Sequence, residues 1–142
     1  MILPDVNLPV YAVDETSGYH HAARDWWDET LSSSLRVGLC YPTILGFVRL
    51  VTHRKVFANP MSVSDALACV RGWLAQPNTT LVVPTPGHWP LLERLLEATG
   101  VGANLTTDAH IAALAIEHGY AVYSNDGDFA RFPGLRWVNP LS

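Results

Sequence analysis

The apolar residues of this chain change their spacing several times along its length. In 20–31 and 88–99 they recur three and four positions apart, which is typical of amphipathic helices. Between such segments stand short, nearly continuous apolar runs such as 120–124, which predict buried strands. The chain therefore alternates between helical and extended periodicity.

The boundaries of these segments follow from turn and capping residues. We predict strands, the first of them running into a turn, over 1–7, 36–40, 80–83, 120–124 and 135–138. We predict helices, the first of them a helix or a turn, over 8–13, 20–31, from 44 to about 53, from 62 to about 76, 88–99 and 108–118. Caps are expected at Thr43, Ser62, Thr106 or Thr107, Gly100 and Gly119.

Strands that alternate with helices predict an α/β fold with a parallel sheet covered by helices. The chain has 142 residues, and it shows no internal repeat, low-complexity stretch or linker. We therefore expect one domain over residues 1–142.

Composition narrows the class of protein. Hydrophobic residues make up 49% of the chain and charged residues 15%, which is typical of a packed globular domain and not of a disordered one. No apolar run approaches the roughly 20 residues that span a membrane, and the start of the chain lacks the basic region of a signal peptide. We expect a soluble, cytoplasmic protein. The net charge of −4 argues mildly against extensive nucleic-acid binding, although a bound cation would supply positive charge locally.

Four aspartates stand at the edges of the predicted elements. Asp5 follows the first strand, Asp108 opens a helix, and Asp126 and Asp128 follow the strand over 120–124. Each has a simpler explanation as a capping or turn residue. Ligands of open α/β sheets bind outside the carboxyl ends of the strands, so a single crevice could collect all four.

Carboxylates brought together repel one another unless protons or a cation neutralise them. A hard divalent cation such as Mg²⁺ suits an oxygen-rich cluster. Such ions activate water and stabilise the leaving oxygen in phosphodiester hydrolysis. Asn7 could assist Asp5, and Ser124 with Asn125 could orient Asp126. Metal-dependent phosphodiester chemistry is therefore the first hypothesis.

An ordered set of short motifs carries a resemblance to a known family. The motifs are Asp5-Val6-Asn7, Phe47-Val48-Arg49 with Thr52, Thr107-Asp108, Ser124-Asn125-Asp126-Gly127-Asp128-Phe129, and Phe132-Pro133-Gly134-Leu135. Over nearly its whole length the chain resembles the PIN-domain ribonucleases, and specifically the VapC-type toxins of bacterial toxin–antitoxin pairs. Asp-x-Asn by itself is a weak signal, whereas the ordered set is fairly specific.

The resemblance implies a three-layer PIN-like fold, with a central parallel sheet and helices on both faces. It implies an endoribonuclease that depends on Mg²⁺ or Mn²⁺, with Asp5, Asp108 and Asp126 in the acidic site and Asp128 in support. It further implies RNA as substrate, inhibition by a cognate antitoxin, and a homodimer.

One position departs from the family pattern. The family commonly has a glutamate a few residues before the arginine that matches Arg49, and this chain has Gly46 there. The stretch from Thr30 to Ser64 contains no Asp or Glu, so no small shift of the alignment restores the carboxylate. The site is expected to have fewer metal ligands than its relatives. A glycine inside a helix would be explained by close approach of another backbone or of substrate.

Two other classes of function stay open from the sequence. A PIN-like module that has lost catalysis would bind RNA or a protein partner without cleaving RNA. A phosphotransferase would use Asp5 as nucleophile, although Asn7 stands where a second acid would be expected. Arg49, Arg54 and Lys55 are candidate contacts for RNA phosphates, or else ordinary solvated charges.

Overall fold

The computed structural model describes residues 1–142. At its centre lies one parallel sheet of five short strands. The strands are β1 (Ile2–Pro4), β2 (Val37–Leu39), β3 (Thr79–Leu81), β4 (Ala121–Tyr123) and β5 (Trp137–Val138). Their order is β3-β2-β1-β4-β5, and all pairings are parallel. The predicted parallel α/β sheet is confirmed.

Six helices cover the sheet. They are α1 (Asn7–Val13), α2 (His20–Leu31), α3 (Tyr41–Val51), α4 (Val63–Leu74), α5 (His88–Thr99) and α6 (Leu105–His118). None of them is both long enough and apolar enough to cross a membrane.

Two apolar cores lie on opposite faces of the sheet, because successive strand residues point to opposite sides. One core packs α1–α4 against residues that include Val37 and Leu39. The other packs α5 and α6 against residues that include Leu3 and Val122. This arrangement is the three-layer architecture that the resemblance implies.

The sheet has its topological switch at β1. The chain steps from β1 to β2 and β3 on one side, then crosses to β4 on the other side of β1. Helices α1–α4 belong to the first direction and α5–α6 to the second, which places them on opposite faces. The carboxyl ends of β1 and β4 therefore flank the crevice in which open α/β sheets bind ligands.

The third helix begins earlier than predicted. It starts at Tyr41 rather than Ile44, and Thr43 is not its cap. Pro42 suits this first turn, where a missing amide hydrogen costs no helical bond. The Thr43 hydroxyl is buried and donates to the Pro4 carbonyl oxygen at 3.1 Å. Pro4 therefore ends the central strand without leaving its carbonyl unpaired.

The sixth helix also begins earlier, at Leu105 rather than Asp108. Thr106 and Thr107 lie inside it, and Asn104 precedes it without a side-chain cap. Leu105 is only 3% exposed, so burial of an apolar side chain fixes the start instead of a capping hydroxyl. Asp108 consequently lies within the first turn of the helix and does not open it.

Other boundaries agree with the sequence to within a few residues. Ser62 caps α4 by accepting a hydrogen bond from the Asp65 amide at 3.1 Å. Gly100 and Gly119 end α5 and α6 with φ of 66° and 75°, a conformation that favours glycine. The segment Gly127–Arg131, expected as a turn, forms a short 3₁₀ helix.

Candidate metal and active site

Asp5 lies at the carboxyl end of the central strand and is only 6% exposed. Its Oδ1 accepts a hydrogen bond from the Val6 amide and its Oδ2 one from the Ser124 hydroxyl, both at 2.8 Å. Burial raises the pKa of this carboxyl, and the nearby Asp126 raises it further, while the two hydrogen bonds oppose the increase. The carboxylate is thus fixed in position and poorly solvated.

Ser124 joins the ends of β1 and β4. Besides donating to Asp5, its buried oxygen accepts from the Asn7 side-chain amide at 3.2 Å and from the Asp126 backbone amide at 2.9 Å. The Trp137 indole donates to the Ser124 carbonyl oxygen at 3.0 Å and holds this turn against β5. The two predicted supporting residues, Asn7 and Ser124, therefore meet in one hydrogen-bonded group.

Asp126 and Asp128 follow β4 on the exposed side of this group. The Asp126 Oδ1 accepts from the Asp128 amide at 2.9 Å and caps the 3₁₀ helix. Asp126 is half-buried and Asp128 is exposed. The turn explanation and the site explanation of these residues are compatible, because the second oxygen of Asp126 is not used in the cap.

Asp108 completes the group from the other face of the sheet. Burial raises its pKa to about 7, with further contributions from the negative charges of Asp5, Asp126 and Asp128. No carboxylate of this group forms an ion pair, since the salt bridges of the chain involve Arg24–Asp25 and histidines with Glu117. The fold therefore brings four acids into electrostatic range of one another, with no ion-paired protein cation to neutralise them.

This donor set is suited to a hard divalent cation. It consists of carboxylate oxygens together with Asn7 Oδ1, a buried oxygen that has no hydrogen-bond partner. A buried acceptor of this kind costs free energy unless a donor, such as a metal-bound water, reaches it. No three His, Cys, Asp or Glu side chains are grouped closely enough to hold an ion as they stand. Ion binding would accordingly draw the mutually repelling carboxylates together and include water or amide oxygen.

The three candidate RNA-binding cations separate in space. Arg49 shares a groove with Thr107, the residue before Asp108. Arg54 and Lys55 follow the end of α3, a helix of 11 residues that starts at the carboxyl edge of the sheet. At about 1.5 Å per residue, that end is roughly 16 Å from the start. Only Arg49 is beside a residue that adjoins the acids.

The glycine at position 46 has a different explanation from the one expected. A Cβ at Gly46 would lie 3.1 Å from Val6 Cγ2. The close neighbour is therefore the side chain of the residue that precedes α1, and not a backbone. Val6 directly follows Asp5. The absence of a side chain at Gly46 therefore lets α3 approach the residue that adjoins the buried carboxylate.

A second polar cluster lies near Asp108 in sequence but on another side of α6. His110 Nδ1 is 2.8 Å from His88 Nε2, and His88 Nδ1 is 2.9 Å from Glu117 Oε1. Glu117 Oε2 also accepts from the Thr85 hydroxyl at 2.9 Å. Burial and the neighbouring His88 lower the pKa of His110. Sequence spacing gave no signal for this cluster, which ties α5 to α6.

The fold and the acidic group define the class of protein. The model of the PIN domain family matches residues 2–135, and the chain belongs to the PIN-domain family. Its sequence is 43% identical over 141 residues to Ribonuclease VapC33 of Mycobacterium tuberculosis, covering 99% of both chains. It is 44% identical over 140 residues to Ribonuclease VapC37 of the same organism, covering 99% of this chain and 97% of the relative.

Solved structures share the fold at much lower identity. FitAB bound to an IR36 DNA fragment matches with a TM-score of 0.72 and 17% identity, covering 100% of this chain and 96% of the other. VapBC2 from Rickettsia felis, bound to a promoter DNA fragment, has a TM-score of 0.70 at 16% identity, covering 98% of each chain. VapC20 of M. tuberculosis, described as a sarcin-ricin loop cleaving toxin, has a TM-score of 0.65 at 19% identity, covering 96% and 99%.

Proposed function

We propose that this protein is a metal-dependent endoribonuclease toxin that cleaves phosphodiester bonds of RNA and is neutralised by a cognate antitoxin. The observation that carries the proposal is the group of Asp5, Asp108 and Asp126 at the switch point of the sheet, with no protein cation to neutralise it. Full-length similarity to proteins named VapC ribonucleases supports the same activity.

Each acid has a distinct role in the proposal. Asp5 is the fixed ligand, because its two hydrogen bonds and its burial leave it one orientation. Asp108, in the first turn of α6, and Asp126, after β4, complete the site, with Asp128 in support. Ser124 and Asn7 position Asp5 and the turn after β4, and they do not contact the reacting phosphate.

The cofactor is Mg²⁺ or Mn²⁺, held by these carboxylates. When bound, a divalent ion lowers the pKa of coordinated water and stabilises negative charge on the phosphate oxygens. The residues of the chain must release their protons for this role. Because the pKa of Asp108 is about 7 without the ion, cation binding at neutral pH displaces a proton from that carboxyl.

The two alternative functions make different demands on Asp5. A phosphotransferase would use an Asp5 oxygen as nucleophile, so transfer of phosphate onto Asp5 would be its test. A binding module would not need the acids at all.

The known VapBC and FitAB structures contain an antitoxin and bound DNA, which supports an antitoxin partner for this chain, and a homodimer stays a prediction.

Cleavage of RNA by the purified protein tests the proposal. Wild type should cleave single-stranded RNA with Mg²⁺ or Mn²⁺ and lose that activity in EDTA. Asp5→Asn keeps the shape of the side chain and should reduce the cleavage rate by at least 100-fold, since it removes the fixed anionic ligand. Asp25→Asn, at an exposed aspartate of α2, is the matched control and should cleave like wild type.

Unchanged cleavage by Asp5→Asn would exclude the assigned site. RNA binding without cleavage, with or without EDTA, would favour the binding module. Circular dichroism of each variant shows that a loss of activity is not a loss of fold.

A further inference from the structure

A groove opens between α3 and the start of α6, next to the acidic group. It has a volume of about 320 Å³ and is lined by Pro42, Leu45, Gly46, Arg49 and Thr107. That volume equals roughly ten water molecules at about 30 Å³ each, which is room for a sugar and a phosphate but not for a folded peptide segment.

The groove adjoins two of the acids through the chain itself. Thr107 directly precedes Asp108, and Gly46 packs against Val6, which directly follows Asp5. A group in the groove would therefore be the immediate neighbour of a phosphate held at the acids. The groove is consequently bordered by residues that adjoin the acids.

The charge of the groove is opposite to that of the acidic group. Its only ionisable lining residue is Arg49, and the whole stretch from Thr30 to Ser64 lacks Asp and Glu. Arg49 is exposed and forms no salt bridge, since the one arginine ion pair of the chain is Arg24–Asp25. Helical side chains tend to lean towards the helix N-terminus, and the N-terminus of α3 is at the carboxyl edge of the sheet, directly after β2.

We infer that this groove is a substrate subsite that binds the sugar–phosphate unit next to the scissile bond of RNA, with Arg49 contacting its phosphate. The inference rests on the proposed function and assigns Arg49 to binding of the adjoining nucleotide. Arg54 and Lys55 lie outside the subsite. A Cβ at Gly46 would lie 3.1 Å from Val6 Cγ2, so a side chain there would require Val6 to shift.

The first measurement compares Arg49→Gln with wild type on a fluorescein-labelled single-stranded RNA whose cleavage position has been mapped. KM should rise about five- to tenfold, somewhat less than for a buried charge-assisted hydrogen bond, because Arg49 is exposed. The kcat should stay within about twofold, since the contact is the same in the ground and transition states. Arg49→Lys should recover most of the loss.

Arg71→Gln is the matched control, since it removes the same charge from an exposed arginine of α4 that is not among the candidate RNA contacts. It should leave KM unchanged. A second control replaces the phosphate next to the scissile bond by an uncharged methylphosphonate. On the RNA in which the contacted phosphate is neutral, wild type and Arg49→Gln should have the same KM.

Binding in EDTA tests the subsite independently of cleavage. The slope of log Kd against log salt concentration should fall by about 0.7 in Arg49→Gln, the amount expected for one phosphate contact on a single strand. Equal KM values and equal salt slopes for the Arg49 and Arg71 variants would overturn the subsite. Absence of any cleavage by wild type would instead refute the proposed function, and the salt slopes would still decide whether the groove binds RNA.

Discussion

The raised pKa of Asp108 makes its contribution to the stability of the metal-free protein fall as the pH rises, which is opposite to the usual effect of an aspartate. An ordinary aspartate has a pKa of 3.8, whereas that of Asp108 in the folded protein is about 7. Between these values the folded state holds a proton that the unfolded state has lost. The contribution of Asp108 to stability is therefore fully present below about pH 4 and is lost as the pH rises to about 7.

The size of this effect follows from the shift. A change of about three pKa units corresponds to about 4 kcal/mol at 1.36 kcal/mol per unit. Asp108 is half-buried, so solvent screening reduces the figure, and we expect about 1–2 kcal/mol. Asp108→Asn keeps the shape and removes the charge. It should match wild type at pH 4.5 and exceed it by about 1–2 kcal/mol at pH 8.

Urea unfolding in EDTA at a series of pH values measures this difference. Asp28→Asn, at an exposed position of α2, is the control and should follow wild type throughout. Mg²⁺ at 100 times its Kd should stabilise wild type by about 2.7 kcal/mol at pH 8. The same concentration should stabilise it less at pH 5, where Asp108 holds a proton. If the curves of wild type and Asp108→Asn run parallel from pH 4.5 to 8, the acids around Asp108 do not interact as described.

Four further substitutions are tested by urea unfolding. Ser124→Ala should cost about 3 kcal/mol, because it removes a buried hydrogen bond to a carboxylate and leaves the Asp126 amide unpaired; a cost below 1 kcal/mol would contradict the role of this hydroxyl. Gly38→Ala should lower the free energy of unfolding by about 1–3 kcal/mol, because the new Cβ would lie 2.6 Å from Val82 Cγ2. Gly72→Ala, where a Cβ would meet nothing within 4 Å, should raise the free energy of unfolding by about 0.5–1 kcal/mol. Ser62→Ala should cost about 1 kcal/mol through loss of the α4 cap, and an unchanged midpoint would show that the Asp65 amide finds another partner.

Local signals in the sequence predicted the elements well where one residue dominates the boundary. His20–Leu31 is helical over the predicted range, and Ser62 caps α4 as expected. The predicted starts of α3 and α6 were wrong, because tertiary contacts outweighed the capping preference of the threonines. Thr43 donates to Pro4 in a neighbouring strand, and burial of Leu105 sets the start of α6.

The sequence by itself determined the order of strands and helices and the placing of the four aspartates at their edges. Periodicity, capping and turn preferences are properties of a few neighbouring residues, so they can be read without the fold. The motif set likewise indicated the PIN-domain family, which the full-length family match confirms.

Only the tertiary structure decided how the acids are held and which other residues accompany them. The hydrogen bond between Ser124 and Asp5 joins residues 119 positions apart, and the contact of Gly46 with Val6 links two helices. The raised pKa values, the unpaired oxygen and the groove all depend on distances and solvent exclusion between residues far apart in the chain. The spacing of residues along the sequence specifies neither the distances nor the exclusion of solvent.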